Sequence, residues 1–286
     1  MIIDSHCHGW EYWPYDPPVP DPESRGRIEQ LISQMDLNGV QQATIVSAQM
    51  EHNPNNNDYI AEAVRRYPGR LYQYADVDSF WSDTYHTPGA ASRMEAAIER
   101  WPMKGFTHYL ANEDDGAWLT SQEGLDFLGV AADAKLIASI ACAPHHQPAL
   151  RRVAEKFPDM PVLCHHMSGL RASEPAPHQM LNDVLASAEL PNIYLKLSGF
   201  SYLSDDDQKW EYPYSDTQWI YKAAYERFGT RMVWGSDYPV VNFYMTHKQS
   251  LEAFRTHCTF VSDDAKKAIL GGTLAGLLGA ARDVRL

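Results

Sequence analysis

Eight short β-like runs alternate with eight longer helical patterns along the chain. The β-like runs cover residues 2–6, 42–48, 71–77, 104–110, 136–142, 161–167, 192–198 and 231–237. Helical periodicity falls near 25–38, 56–67, 90–101, 121–134, 147–156, 177–188, 216–228 and 246–257. A helix between successive strands returns the chain to the same end of the sheet, so the strands run parallel. Eight such units suffice to close the sheet on itself. The pattern predicts one domain over residues 1–286, a (β/α)8 TIM barrel with a C-terminal helical tail. An open doubly wound sheet is the alternative, but no G-x-G-x-x-G or Walker-type loop supports it.

The connections are unequal. Links from helix to strand are short, as at Asn38-Gly39-Val40 and Pro68-Gly69-Arg70. Links from strand to helix are long: 9–24, 78–89, 111–120, 168–176 and 199–215. In a barrel the long links build the C-terminal rim, where active sites sit. They are rich in Trp and Tyr, including Trp10, Trp13, Tyr15, Trp81 and Trp118, which argues against solvated, floppy loops. Pro14, Pro17, Pro18, Pro20 and Pro22 stiffen the first of them.

Charge narrows the partners. The chain carries 24 Lys and Arg against 37 Asp and Glu, a net −13, so it lacks the basic surface that nucleic acid or an anionic membrane requires. No run of about 18 apolar residues predicts a membrane span, and the start Met1-Ile2-Ile3-Asp4 lacks the pattern of a signal peptide. Cys7, Cys142, Cys164 and Cys258 are scattered, as buried free thiols in a reducing compartment would be, and a cytoplasmic location is expected.

Chemistry converges at the ends of the first and last strands. Asp4, His6 and His8 alternate with Ser5 and Cys7, which places the first three on one strand face and Cys7 on the other. Two imidazoles at i and i+2 can converge on one metal ion. Two histidines satisfied within the core are the plain alternative; their place at the C-terminal strand end favours a metal or substrate role. The eighth strand ends Gly235-Ser236-Asp237-Tyr238-Pro239. Strands one and eight are neighbours in a closed barrel, so Asp237 can lie beside His6 and His8 and take a proton from an attacking water. A helix-capping aspartate is the alternative.

The ordered set Asp4-x-His6-x-His8, Val162-Leu163-Cys164-His165, Lys196-Leu197-Ser198-Gly199 and Gly235-Ser236-Asp237-Tyr238-Pro239 resembles the amidohydrolase superfamily, in its amidohydrolase-2 branch. That branch includes 2-pyrone-4,6-dicarboxylate hydrolase, sugar-acid lactonases and decarboxylases. The resemblance implies a distorted barrel, metal or substrate contact by His6, His8 and His165, and Asp237 as base. It implies one divalent ion, zinc or manganese, held by His6, His8, His165 and Asp237, with metal-independent activity known on the lactonase side. Two departures from the family matter. Lys104 sits at the wrong end of strand four to bridge two metals, and strand seven carries no histidine of the kind the decarboxylases have.

Of the adjacent His165 and His166, strand alternation admits only one to the barrel; the family pattern selects His165, leaving His166 toward the helices. Relatives often place a basic residue near His108. Lys196 and Ser198 share a face, and an inward lysine needs an anion, so Lys196 is expected on an oxyanion or carboxylate. Arg171 could grip a carboxylate bidentately. His145, His52 and Trp10 are further rim candidates, and Gly169 and Gly199 suit tight rim turns. The expected activity is hydrolysis of a lactone or similar cyclic ester of a small carboxylic or sugar acid by Asp237-activated water. A decarboxylase or hydro-lyase of the same branch and a non-catalytic binding barrel are the alternatives. The expected partner is a small molecule, an organic acid or lactone; a homo-oligomer is left open.

Overall fold

The computed structural model describes residues 1–16 and 19–284, so Pro17 and Pro18 of the first loop fall outside the described residues. Eight strands occur where the periodicity placed them: β1 Ile3–Cys7, β2 Gln42–Val46, β3 Leu71–Asp76, β4 Met103–Tyr109, β5 Ile137–Ala141, β6 Val162–Cys164, β7 Ile193–Leu197 and β8 Met232–Trp234. Their spatial order is their chain order, and each consecutive pair is parallel. The ring closes just past β8, where Cys7 bridges Tyr238. There Asp237 N donates to His6 O and His8 N to Tyr238 O, each at 2.7 Å. Gly235 permits this approach, since a Cβ there would stand 2.7 Å from His6 Cβ.

Both faces of each strand are covered, as parallel sheets require. The barrel's lower interior is filled by Ile3, Val46, Tyr74, Ile137, Leu163 and Val233. Leu274 and Leu278 of the helix Thr273–Ala280 plug it from below, so the C-terminal tail closes the mouth opposite the rim. A larger apolar layer, Cys7 included, joins the outer faces of the strands to the helices. Cys7 thus faces away from His6 and His8, as alternation predicts. The first loop is packed: Trp10 and Trp13 are buried, and Trp13 meets Phe243 with ring centroids 5.5 Å apart.

Asp4 departs from the expected face. The register on β2 slips between Asp4, paired with Ala43, and Cys7, paired with Ile45, so β1 holds one extra residue there. Ile3 and His6 therefore both face inward, while Asp4 turns outward toward His247, with 3.6 Å between Asp4 Oδ2 and His247 Nε2. Asp4 Oδ1 accepts from Ser236 N at 2.9 Å and so ties β1 to the end of β8. β6 is also shorter than the predicted run 161–167, because His166, Met167 and Ser168 take left-handed φ of 43, 54 and 59°. Among the described residues no helix is long and apolar enough to cross a membrane.

Candidate active site

His6 and His8 project from β1 into the rim of the barrel and meet Asp237. Their Nε2 atoms are 3.2 Å apart, and Asp237 Oδ1 lies 3.5 Å from His6 Nε2 and 3.3 Å from His8 Nε2. The Val46 carbonyl, 2.7 Å from His8 Nδ1, can only accept, so the neutral ring carries its proton on Nδ1. His8 Nε2 then presents a lone pair to a carboxylate oxygen. Trp10 stacks on the His8 ring at 4.8 Å and 13°. Trp10 is itself fully buried, which makes it a support for His8 rather than the substrate contact expected from its rim position.

His165 and His166 both join the cluster, which corrects the expectation that His166 faces the helices. Strand alternation ends at Cys164, and the left-handed turn redirects the second ring. The His6 ring lies 4.4 Å from His165 and 4.5 Å from His166, centroid to centroid. His166 Nε2 is 4.0 Å from Asp237 Oδ1, and its Nδ1 is 2.9 Å from Ser198 Oγ. Ser198, expected on substrate, therefore holds His166. His165 Nε2 meets Ser139 Oγ at 2.7 Å, while its buried Nδ1 has no partner among the described residues. Two triads, His6 with His8 and Asp237 and His6 with His165 and His166, each bring ligand atoms within 4.8 Å of one another.

The electrostatics suit ligation. Burial, with Lys196 next, pushes His6 and His165 well below the ordinary imidazole range. Burial brings His166 down to about 4 against the opposing pull of Asp237. These rings are neutral near pH 7, the form that binds metal. Burial alone would raise Asp237, but His166, His8 and the Tyr202 hydroxyl outweigh it and hold the carboxyl below its usual value. Tyr202 donates to Asp237 Oδ2. Asp237 adopts a left-handed φ of 58°, a conformation aspartate tolerates better than most residues. The donor set, the unpartnered His165 Nδ1 and the facing lone pairs fit a divalent metal.

Five other candidates, Lys196, His108, His145, Arg171 and His52, lie elsewhere than expected. Lys196 points into the barrel beneath His6, with Nζ 3.1 Å from His6 Nδ1 and 2.7 Å from Ser139 Oγ, and is fully buried. Burial lowers it to about 7, so it meets its neighbours without the anion a fully charged lysine would need. His108 faces outward against Phe127, with Nδ1 3.1 Å from the Val77 carbonyl and Nε2 3.3 Å from His86 Nε2. The other face of β4 carries Tyr109, whose ring meets His165 edge-on at 5.1 Å. His145 is exposed on the Asp114 carbonyl at 3.0 Å. Arg171 lies outside the cluster, where its Nη1 donates to the Tyr202 carbonyl at 2.6 Å. His52 is exposed beside Glu51.

Above the cluster opens a cleft of about 250 Å3, walled by Phe80, Tyr109, Leu110, Cys142 and Tyr202 and floored by His165 and His166. Tyr109, Tyr202 and His166 were not singled out as site residues from the sequence. Alternation separates Tyr109 from His108 but does not say which of the two faces inward. Tyr202 belongs to a short helix after Gly199 that no periodicity marks.

The family model described as Amidohydrolase matches residues 3–279. Comparison with curated proteins gave no match. Among solved structures, an amidohydrolase from Burkholderia multivorans with bound zinc is similar at TM-score 0.79 and 19% identity, over 98% of this chain and 99% of that one. A probable 2-pyrone-4,6-dicarboxylic acid hydrolase from Acinetobacter baumannii with citric acid bound gives 0.76 and 18%, over 97% and 99%. Amidohydrolase 2 from Bifidobacterium longum subsp. infantis gives 0.66 and 16%, over 98% of each. At these identities the structural likenesses speak for the barrel alone, whereas the family match spans nearly the whole sequence. The chain belongs to the amidohydrolase family and is an enzyme, a hydrolase.

Proposed function

We propose that the protein opens a lactone or similar cyclic ester of a small organic acid, with Asp237 as the base. One observation carries this reading: Asp237 Oδ2 is held by Tyr202, while Oδ1 faces His6 and His8 at 3.5 and 3.3 Å. A carboxylate fixed at one oxygen and free at the other is placed to accept a proton from water. His6, His8, His165 and Asp237 would hold one divalent ion, zinc or manganese. When bound, it would lower the pKa of water and polarise the ester carbonyl.

Asp237 Oδ1 takes the proton of the attacking water and returns it to the ring oxygen as the C–O bond breaks. Lactone and water thus become one hydroxy acid. His166 Nδ1 lies 2.9 Å from Ser198 Oγ; in the tautomer that accepts from that hydroxyl the ring proton is on Nε2, where it would stabilise the developing oxyanion. The long aromatic loops wall the reaction off from bulk water. A pH-stat assay over a panel of lactones tests the reading, since each ring opened near neutral pH releases one proton. Acid release with equimolar hydroxy acid is expected. Carbon dioxide release without a hydroxy acid, or no acid from any lactone, overturns it.

A further inference from the structure

We infer that the cleft selects an uncharged lactone with an aromatic or otherwise apolar flank and discriminates against lactones that carry a free carboxylate; this rests on the hydrolytic reading above. The three basic side chains expected to contact a substrate anion, Lys196, His108 and Arg171, are turned elsewhere. Lys196 is sealed beneath His6, and His108 faces Phe127. Arg171 is spent on the Tyr202 carbonyl beside the shelf of Asp205, Asp206 and Asp207. The cleft is lined instead by Phe80, Tyr109, Leu110 and Cys142, with Asn112 and Tyr202 as its polar side chains beside His165 and His166.

The aromatic wall is built in layers. Phe80 is 48% exposed at the mouth of the cleft, where an entering ring can cover it. It packs on Trp81 at 4.9 Å, and Trp81 packs on Tyr109 at 4.6 Å. Trp81 Nε1 is anchored to Asp76 Oδ2 at 2.8 Å, so the stack has a fixed base. A planar ring entering the cleft meets this stack on one flank and Tyr202 near the floor. A second carboxylate lying against Phe80, Tyr109, Leu110 and Cys142, away from the proposed ion, would lose its water to apolar neighbours with no lysine or arginine among the cleft's lining residues, which is costly. The net charge of −13 adds a long-range penalty on anionic substrates. The volume, about 250 Å3, lies below the roughly 300–1,000 Å3 typical of drug-sized ligands, so the substrate is small.

The test uses the purified full chain with three lactones: dihydrocoumarin, the same ring bearing a carboxylate, and glucono-δ-lactone. Binding of the two corresponding aryl lactams, which resist hydrolysis, is followed by calorimetry. Dihydrocoumarin should exceed its carboxylate in kcat/KM by at least about 10²-fold, the scale on which an apolar pocket rejects an added polar group. The neutral lactam should bind correspondingly tighter. Phe80→Ala should raise KM for dihydrocoumarin, and Asn112→Arg, at an exposed cleft position, should narrow the gap at least about tenfold. A preference for the carboxylated ring or for gluconolactone overturns the inference and leaves lactone hydrolysis standing. If no lactone turns over while the neutral lactam binds preferentially, the hydrolytic reading fails and the cleft chemistry stands. If neither lactam binds, the inference fails whatever the turnover.

Discussion

His8 Nε2 faces Asp237 Oδ1 across 3.3 Å, with His8 Nδ1 held on the Val46 carbonyl at 2.7 Å, so the two facing atoms are placed to close on one cation. A single divalent ion per chain is therefore expected on elemental analysis, because Lys104, at the far end of β4, cannot bridge a second. His8→Ala should abolish tight binding. Ion added at about 100 times its Kd should stabilise the fold by about 2.7 kcal/mol. Two tightly held ions per chain, or an unshifted melting curve on chelation, would contradict this assignment.

Asp237→Asn preserves shape and suits the left-handed φ of 58°, so the fold should survive. It removes the base, and kcat should fall at least about 10²-fold with little change in KM. Burial raises the Asp237 carboxyl, but His166, His8 and Tyr202 bring it below its usual value. Activity should therefore persist into mildly acidic solution and fall only below the ordinary carboxylate range. Tyr202→Phe, which deletes one of those stabilising donors, should move that acidic limb upward. Steady-state profiles of the three proteins decide the matter; a near-normal kcat in Asp237→Asn would remove it as base.

Lys196→Met separates two roles. A lysine that grips substrate would, when lost, raise KM. The observed Lys196 instead touches His6 Nδ1 and Ser139 Oγ, so it acts through the ligands. The variant should lose metal affinity by about 10–100-fold, the usual scale for a group behind a metal ligand. KM for the lactone at saturating metal should stay near that of the wild type. Metal titration alongside steady-state kinetics distinguishes the outcomes.

The barrel and the meeting of His6, His8 and Asp237 were legible because they follow from alternation and closure, which the hydrophobic pattern encodes directly. Parity arguments failed wherever the backbone left regular strand geometry. One extra residue in β1 reversed Asp4, and the turn after Cys164 brought His166 inward. For His108 the period was right and the phase unknown: β4 is buried on both faces, so polarity does not reveal which side is the barrel interior. Lys196 was read as needing an anion, yet the cost of burial is met by lowering its pKa, with a neutral imidazole and a hydroxyl as partners.

Asp76, at the end of β3 and away from the metal cluster, should set part of the pH dependence of stability. Its carboxyl is 3% exposed, and burial pushes it up from 3.8 to about 6, against the hydrogen bonds from Gln49 N, Ser79 and Trp81. A raised carboxyl means that the folded state holds the proton more tightly than the unfolded chain. The stability this confers is complete below about pH 4 and is lost as pH rises through about 6, about 3 kcal/mol in all. Asp76→Asn should remove the dependence, because asparagine can satisfy every partner. Its carbonyl can accept from Gln49 N and Trp81 Nε1, both now on Oδ2 at 2.8 Å, and its amide can donate to Ser79 Oγ. Urea unfolding at pH 4.5 and pH 8 should show the variant gaining on the wild type as pH rises. An equal difference at both pH values would mean that Asp76 is ionised in the folded protein throughout, and that its three donors outweigh the cost of burial.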